Sequence, residues 1–273
     1  MRVPAASLVL LSVVSVQVGQ AFGKQLFSLA GPLGVASLRL SIAACVLLLV
    51  CRPRPPVDRR SLGLVLAFGT AIAGMNIIYP ALQYLPLGVA TALQLTGPLT
   101  LALLASRRRT DLAWTLLALT GVALFYAPGA PAPPAIGVLL ALLSGLAMGA
   151  YLLLSQRAGS QTVDGSLLAL AVACAALILL PFGVAESGTA LLDWHLLLAA
   201  TGLALVSAVL PYSLDLSALR RLPARVVGVL ESLEPAVAGL AGLLVLHEHL
   251  GLSQWSALAC VTAACTGAVL SRR

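Results

Sequence analysis

The segment ALQYLPLGVATALQLTGP (Ala81 to Pro98) has a counterpart 137 residues later, ALRRLPARVVGVLESLEP (Ala218 to Pro235). Seven of the 18 positions are identical, including a Leu-Pro pair and the final proline. The offset is about half of the 273-residue chain. These two segments therefore indicate an internal repeat, and the surrounding sequence decides what kind of repeat it is.

The sequence around both segments is strongly apolar. Hydrophobic residues make up 60% of the chain and charged residues only 9%, whereas about a quarter of a soluble domain is charged. Uncharged runs such as Ala135 to Leu154 and Ser166 to Ala185 reach the roughly 20 residues needed to cross the hydrocarbon core of a bilayer. The sequence therefore predicts an all-α integral membrane protein with the lipid bilayer as its surroundings.

Hydropathy predicts ten transmembrane helices, at about residues 4–23, 31–51, 61–80, 87–105, 111–128, 135–154, 165–184, 196–218, 224–246 and 252–271. Because each half holds five helices, the second copy crosses the membrane in the opposite direction. The predicted fold is thus two inverted-topology five-helix repeats, 1–128 and 129–273, an architecture of secondary transporters whose sites lie where the halves meet. The alternative for the first helix, a cleaved signal, is disfavoured by Gln17, Gln20 and the lack of an A-x-A-like cleavage site.

Basic residues cluster in the loops of one side. With the N terminus inside, the inner segments hold 14 of the 16 basic residues: Arg2, Arg52, Arg54, Arg59, Arg60, Arg107, Arg108, Arg109, Arg157, Arg220, Arg221, Arg225, Arg272 and Arg273. By the positive-inside rule, both termini are predicted to be cytoplasmic, in a bacterial-type inner membrane. The net charge of +7 then reflects topology, and no nucleic-acid partner is expected.

Pro98 and Pro235 hold equivalent places in the repeat, and each removes the hydrogen bond to the carbonyl four residues earlier. We expect both helices to kink there, beside Gln94 and Thr96 in the first half and Glu231 and Glu234 in the second. Two buried acids cost about 5 to 7 kcal/mol, against about 3 to 7 kcal/mol from the Val and Leu of that helix. Glu231 and Glu234 are therefore proton-coupling candidates that share a proton on one helix face; the alternative is a structural hydrogen bond or ion pair.

Other polar residues within the spans are candidates for lining a substrate cavity. They are Gln17, Gln20, Arg39, Asn76, Tyr79, Gln94, Thr96, Tyr151 and Tyr212. Arg39 lies mid-span and needs a carboxylate or carbonyl partner, with an acid favoured over a substrate carboxylate. Each glutamine or tyrosine alone is explained more simply by bonding between helices. Asp215, near the cytoplasmic end, is either a gate or an ion-pair partner of Arg220 and Arg221.

No enzyme signature occurs in the sequence. His195, His247 and His249 lie in short outer loops without an acidic or cysteine cluster, and the five cysteines lack metal-ligand spacing. The P-loop pattern G-x-x-x-x-G-K-[ST] is missing. We therefore predict no catalytic residue, metal or cofactor, and transport driven by an ion or substrate gradient. The sequence does not indicate an oligomeric state.

Seven segments resemble EamA-type members of the drug/metabolite transporter superfamily, and among these the exporters of threonine and homoserine. They are SVQVGQAFGKQLF (15–27), GVASLRL (34–40), LPLGVATALQLTGPL (85–99), SRRRTD (106–111), AYLLLSQRAG (150–159), LPYSLDLSALRRLPAR (210–225) and VLESLEPAVAGL (229–240). Two places differ from the family pattern: LHEHL (246–250) stands where a Gly-Glu pair is common, and Gln94 stands where the exporters have Glu.

The resemblance implies a secondary active transporter that exports a small amino acid or related metabolite. Its partners would be that small-molecule substrate and protons, exchanged by alternating access. One alternative is an importer or facilitator of another small metabolite. The other is a membrane-embedded enzyme or a scaffold that transports nothing.

Overall fold

All regular structure in the described part of the chain is helical. A computed structural model describes residues 5–53, 58–104, 109–126, 132–159, 165–219, 221–222 and 224–270. Side chains are described at all of these positions except 5, 101–104, 109–111, 156–159, 216, 219, 224 and 225.

Ten helices form a bundle within these ranges. They are α1 (Ala5–Gln25), α2 (Phe27–Cys51), α3 (Arg59–Met75, continued by Ile78–Leu82), α4 (Leu87–Leu104), α5 (Arg109–Leu124), α6 (Ala135–Gly159), α7 (Ser166–Ser187), α8 (residues 194–219), α9 (Ala224–Glu231, continued by Glu234–Leu246) and α10 (Leu252–Leu270). Their order and positions confirm the ten predicted helices, with ends that differ by a few residues. The predicted boundary between the repeats, at 128 and 129, lies outside the described residues.

The outer surface of the bundle suits lipid. Eight helices in the described ranges are long and apolar enough to cross a membrane; the other two are α4 and α5, and the apolar part of α5, Leu112–Leu124, is shorter. Large apolar side chains such as Leu49, Leu177 and Leu244 are more than 70% exposed. Many further large apolar side chains are exposed in the described ranges, and extensive exposed apolar surface is rare on soluble monomers. The chain is therefore a multi-pass membrane protein.

Three helices are interrupted near the middle of the bundle, each shortly before a proline. The interruptions are at Asn76 and Ile77 in α3 before Pro80, at the π-helical turn Leu205–Val209 in α8 before Pro211, and at Ser232 and Leu233 in α9 before Pro235. Proline cannot donate to the carbonyl four residues earlier, and a freed carbonyl at membrane depth is tolerated where it is buried in protein or lines a cavity. By contrast, α4 continues as one helix through Pro98. Of the two predicted kinks, only the one at Pro235 is a break.

A fourth irregularity bends α2 near its first turn. Gly31 has φ +59°, and the helix restarts with Pro32, which suits a first helical position because it has no N–H to satisfy. The Glu186 carboxylate of α7 accepts hydrogen bonds from the next two backbone N–H groups, Leu33 at 2.7 Å and Gly34 at 2.9 Å. The positive φ favours glycine, and a Cβ at Gly31 would also displace that carboxyl group, from which it would lie 2.5 Å.

Helix packing follows a pattern that recurs after five helices. Helix α1 contacts α8 and α9, as α6 contacts α3 and α4; α2 contacts α7, and α5 contacts α10. The largest cluster of buried apolar residues includes Leu38 and Leu93 from before the predicted boundary and Leu203 and Leu258 from after it. Both parts of the chain therefore share one core.

Candidate functional site

A polar cavity lies in the middle of the bundle, beside the three interrupted helices. Its volume is about 110 Å³, which is room for several waters because one water needs about 10 to 15 Å³. Its lining includes Gln20 of α1, Arg39 of α2, Asn76 and Tyr79 of α3, Gln94 of α4, Tyr151 of α6, Tyr212 and Asp215 of α8, and Glu231 and Glu234 of α9. The cavity therefore brings together predicted residues from both halves of the chain.

Four other residues singled out from the sequence do not line this cavity. Gln17 is buried elsewhere, and Thr96 donates to the Leu93 carbonyl of its own helix at 2.6 Å. Pro98 lines a second cavity described below, and Pro235 is buried at the start of the second segment of α9. Threonine hydroxyls commonly bond a carbonyl three or four residues earlier in a helix, as Thr96 does here.

Arg39 is held at the cavity wall by neutral oxygen atoms. Its Nη1 donates to the Asn76 side-chain oxygen at 3.0 Å, Nε to the Ser207 hydroxyl at 2.6 Å and Nη2 to the Ser207 carbonyl at 2.5 Å. The guanidinium carbon lies 5.7 Å from the centre of the Tyr79 ring, and the residue is only 4% exposed. The pairing of Arg39 with an acid, favoured from the sequence, is not found among the described residues.

Ser207 was missed by sequence reasoning, although the sequence contains a signal for it. Pro211 lies four residues later and supplies no N–H, so the Ser207 carbonyl is free to accept from Arg39. The π-helical turn around Ser207 is of a kind often found at functional sites. Gly19 of α1 packs against Ser207, where a Cβ would collide with it.

The acidic wall of the cavity is formed by α8 and α9. Glu231 ends the first segment of α9 and Glu234 begins the second, so the break falls between the two residues that were expected on one continuous helix face. Asp215 joins them from α8. None of the three forms an ion pair with a described basic residue. One Asp215 oxygen and the Tyr212 hydroxyl are buried without a hydrogen-bond partner among the described residues.

Gln94 is fixed against α6 at the first-half side of the cavity. Its amide nitrogen donates to the Ser144 hydroxyl at 2.7 Å and to the Met75 carbonyl at 3.2 Å, and Ser144 donates to the same carbonyl at 2.6 Å. Gly145 allows this approach, because a Cβ there would collide with the Gln94 backbone. Small residues such as Gly145 are common where membrane helices approach closely.

A second cavity, of about 170 Å³, adjoins the first and is mostly apolar. Its lining is Leu95, Pro98 and Leu99 of α4, Met148 and Leu152 of α6, Gly228, Glu231 and Ser232 of α9, and Cys265, Ala268 and Val269 of α10. Met148, Leu152 and Glu231 line both cavities, so Glu231 stands at their border. We call this space the apolar cavity and the first one the polar cavity.

Comparison with known proteins explains why a lipid-embedded bundle encloses charged side chains. The threonine/homoserine exporter RhtA of Escherichia coli (strain K12) is 37% identical over 270 residues, which are 97% of this chain and 91% of that protein. RhtA of Salmonella typhimurium (strain LT2) is 37% identical over 268 residues, covering 97% and 90%. The model of the EamA-like transporter family matches residues 135–270. This chain belongs to the EamA-like transporter family.

Membership of the EamA-like transporter family makes the chain a transporter and not an enzyme. A protein of known crystal structure shares the fold, with a TM-score of 0.63 at 18% identity, over 98% of this chain and 99% of that one. In the described part of the EamA-like chain, no group of three or more His, Cys, Asp or Glu side chains could hold a metal ion.

One end of the EamA-like bundle is tied together by charged and polar contacts, and we call it the Lys24 end. Lys24 Nζ of α1 lies 2.7 Å from Glu248 Oε1 and 2.8 Å from the Leu85 carbonyl. The other Glu248 oxygen accepts from the Leu87 N–H at 2.8 Å, which caps the start of α4. Gln25 donates to the Val245 carbonyl at 2.9 Å. These contacts join α1 and α4 to the end of α9.

Proposed function

We propose that the chain exports a small amino acid of the threonine and homoserine type across a bacterial-type inner membrane, by alternating access and in exchange for protons. The observation that carries the proposal is the polar cavity, in which Arg39 faces the same space as Glu231, Glu234 and Asp215. An amino acid has one charge of each sign, so such a cavity is complementary to it. The similarity to exporters named for threonine and homoserine supports this substrate class.

Arg39 is suited to bind the substrate carboxylate. A guanidinium has five N–H groups, and the contacts with Asn76 and Ser207 use three of them. The two that remain belong to the two terminal nitrogens, which can bind both oxygens of one carboxylate. Because its present hydrogen-bond partners are uncharged, a substrate carboxylate would be the first anion in direct contact with this buried cation.

The acidic wall is suited to bind the substrate ammonium group. Glu231, Glu234 and Asp215 provide carboxylate acceptors there. The Tyr212 hydroxyl and the Gln20 side-chain oxygen are buried without partners among the described residues. Unpaired buried polar atoms are costly, and the hydroxyl of threonine or homoserine can satisfy one of them.

The same carboxylates provide a means of exchange. An ammonium group and a proton compete for them, so binding of one favours release of the other. Besides Glu231, Glu234 and Asp215, the charged and titratable groups that line the polar cavity are Arg39, Tyr79, Tyr151 and Tyr212. Arg39 disfavours a cation in the empty cavity, and a substrate carboxylate removes that repulsion. Proton and amino acid would therefore occupy the cavity alternately, as antiport requires.

For the topology, we propose that the Lys24 end faces outward and that both termini are cytoplasmic. The distribution of basic residues in the sequence supports this orientation. The contacts of Lys24 and Glu248 would then belong to a state closed on the outside. The recurrence of helix contacts after five helices supports two inverted repeats, 1–128 and 129–273, which alternating access would rock against each other.

The test is counterflow of labelled threonine and homoserine into proteoliposomes that contain the purified protein. Exchange with unlabelled amino acid inside is expected, and an acidic lumen should drive accumulation because protons leave as substrate enters. Counterflow that ignores the pH gradient would indicate a facilitator, and accumulation driven by an acidic exterior would indicate cotransport. Absence of counterflow for all small amino acids would contradict the proposal.

A further inference from the structure

The proposed contacts with Arg39 and the acidic wall use the amino and carboxyl groups of the substrate and leave the apolar cavity unassigned. We infer that the apolar cavity receives the substrate side chain, and that the protein also carries aliphatic amino acids such as leucine and methionine. This inference rests on the proposed function and extends its substrate class.

The two cavities are placed so that one amino acid can occupy both. Glu231 lines each of them, and so do Met148 and Leu152. An ammonium group bound at Glu231 lies at the border, and the Cα carries the ammonium and the side chain on the same atom. A side chain longer than that of threonine can therefore extend into the apolar cavity while the carboxylate stays on the Arg39 side.

The chemistry of the apolar cavity selects among side chains. Its lining is mainly leucine, methionine, valine, alanine and proline carbon, with Glu231 at the border. The Ser232 hydroxyl lies 2.6 Å from the Val229 carbonyl and 2.6 Å from the Thr266 hydroxyl, so it already has hydrogen-bond partners. A glutamine side chain of similar length to methionine would lose its water and gain little. The cavity should therefore prefer aliphatic to polar side chains.

A passage from the polar cavity to the surface is the competing explanation for this space. A passage would serve every substrate, so narrowing it would slow all of them alike. A side-chain site would instead affect long side chains and spare short ones. Substitutions that change the size of the apolar cavity distinguish the two.

Gly228 is the position at which to fill the apolar cavity. A Cβ there would lie 3.5 Å from Val269 Cγ1, an ordinary contact, so Gly228→Ala adds a methyl group without a collision. Gly228→Val adds two further methyl groups beside Val269 and fills more of the cavity. Gly202→Ala is the matched control, because a Cβ at Gly202 meets nothing within 4 Å. Leu99→Ala is the opposite change and enlarges the cavity.

Two measurements are made on each variant: thermal-shift binding of single amino acids to the purified protein, and competition by those amino acids against threonine counterflow. In the unmodified protein, leucine and methionine should bind and compete, and glutamine should do so less well. Gly228→Val should lower the ratio of leucine affinity to threonine affinity roughly tenfold or more, because a methylene-sized change in an apolar site changes affinity by that much. Leu99→Ala should raise the ratio of phenylalanine affinity to threonine affinity.

The inference would be overturned by equal losses for threonine and leucine in the Gly228 series, or by no leucine binding in the unmodified protein. If the Gly228 substitutions weaken leucine binding more than threonine binding but no counterflow occurs, the side-chain site is supported and the proposed transport is contradicted. If threonine counterflow occurs but leucine does not bind, the proposed transport is supported and the side-chain site is contradicted. The two proposals therefore fail separately.

Discussion

The Arg39 guanidinium donates to both the hydroxyl and the backbone carbonyl of Ser207, at 2.6 and 2.5 Å. This pair joins α2 of the first half to α8 of the second at the wall of the polar cavity. The Ser207 carbonyl is available because Pro211 has no N–H to donate to it. This missing hydrogen bond in α8 therefore leaves an acceptor that orients Arg39, on which substrate binding is proposed to depend.

Replacement of Arg39 tests the carboxylate site. Arg39→Lys keeps the positive charge but cannot present two parallel donors, so the Kd for threonine should rise by about ten- to hundredfold. An amine that lacks the carboxyl group should bind with similar affinity to both proteins. Binding is measured by thermal shift, with Arg59→Lys at the exposed start of α3 as the matched control. Equal loss for the amino acid and the amine would show a general structural effect.

Restoring the missing N–H of α8 tests how Arg39 is held. Pro211→Ala supplies an N–H that can compete with Arg39 for the Ser207 carbonyl. The thermal stability should hold or increase, since alanine suits a helix better than proline, while threonine affinity falls. Pro181→Ala, at an exposed proline inside α7, is the control and should leave affinity unchanged. A loss of stability together with unchanged affinity would contradict the expected role of Pro211.

The contacts at the Lys24 end should hold one face of the protein closed. Lys24→Met removes the bond to Glu248 and the bond to the Leu85 carbonyl, so a cysteine at Gln20 should react faster with a reagent added outside. Since the two side chains are only 21% and 16% exposed, and the Leu85 carbonyl loses its donor, the free energy of unfolding should fall by about 1 to 3 kcal/mol. Glu248→Gln can still cap α4 and separates the effect of charge from that of capping. Unchanged labelling of Gln20→Cys in both variants would contradict a gate here.

Asp58 caps α3 outside the membrane-spanning part of the chain, and its contribution should depend on pH. Hydrogen bonds from the Ser61 N–H, at 2.9 Å, and from its side chain hold the pKa of Asp58 below the usual aspartate value. A lowered pKa means that the stabilisation is present above the unfolded-state value and is lost as the pH falls through the lower folded-state value. The Tm of the unmodified protein should therefore fall in acid as this stabilisation is lost. Asp58→Asn caps the helix without titrating, so its Tm should fall less over the same pH range. Equal falls in Tm for the two proteins would contradict a pH-dependent cap at Asp58.

The charged residues of the site could be predicted because burying a charge in lipid costs free energy. Glu231, Glu234 and Arg39 stand out in apolar runs, and each needs a polar environment, which the polar cavity provides. Ser207, a partner of Arg39, was harder to predict. A π-helical turn changes which residues of α8 face inward, so regular helical spacing does not indicate this position. A single serine in an apolar segment is also common. The only sequence signal of Ser207 is its position four residues before Pro211.

Two other features depend on the packing of helices far apart in sequence. Every residue of the apolar cavity other than Glu231 and Ser232 resembles ordinary core packing, so only the assembled helices reveal an unfilled space. Glu248 lies in a short loop, where a charged residue is common and gives no sequence signal of a function. In the structure it binds Lys24 from the other half of the chain. Such pairs follow from the fold and not from local pattern.

The last prediction concerns proton exchange at Glu231 and Glu234. Glutamine resembles a protonated glutamate in shape and hydrogen bonding but cannot release a proton, so Glu231→Gln and Glu234→Gln should fold. They should still exchange labelled for unlabelled substrate, but at a higher substrate concentration than the unmodified protein, because the ammonium group loses one of its carboxylate partners. Accumulation driven by an acidic lumen should fall sharply in the variant that lacks the coupling carboxylate and disappear in the double variant. Asp215→Asn tests the third acid of the cavity, and Glu186→Gln, which alters a carboxylate that caps α2 away from it, is the control. Undiminished pH-driven accumulation in both single variants and the double variant would exclude these glutamates from coupling, whereas lost expression without a change in coupling would assign them a structural role.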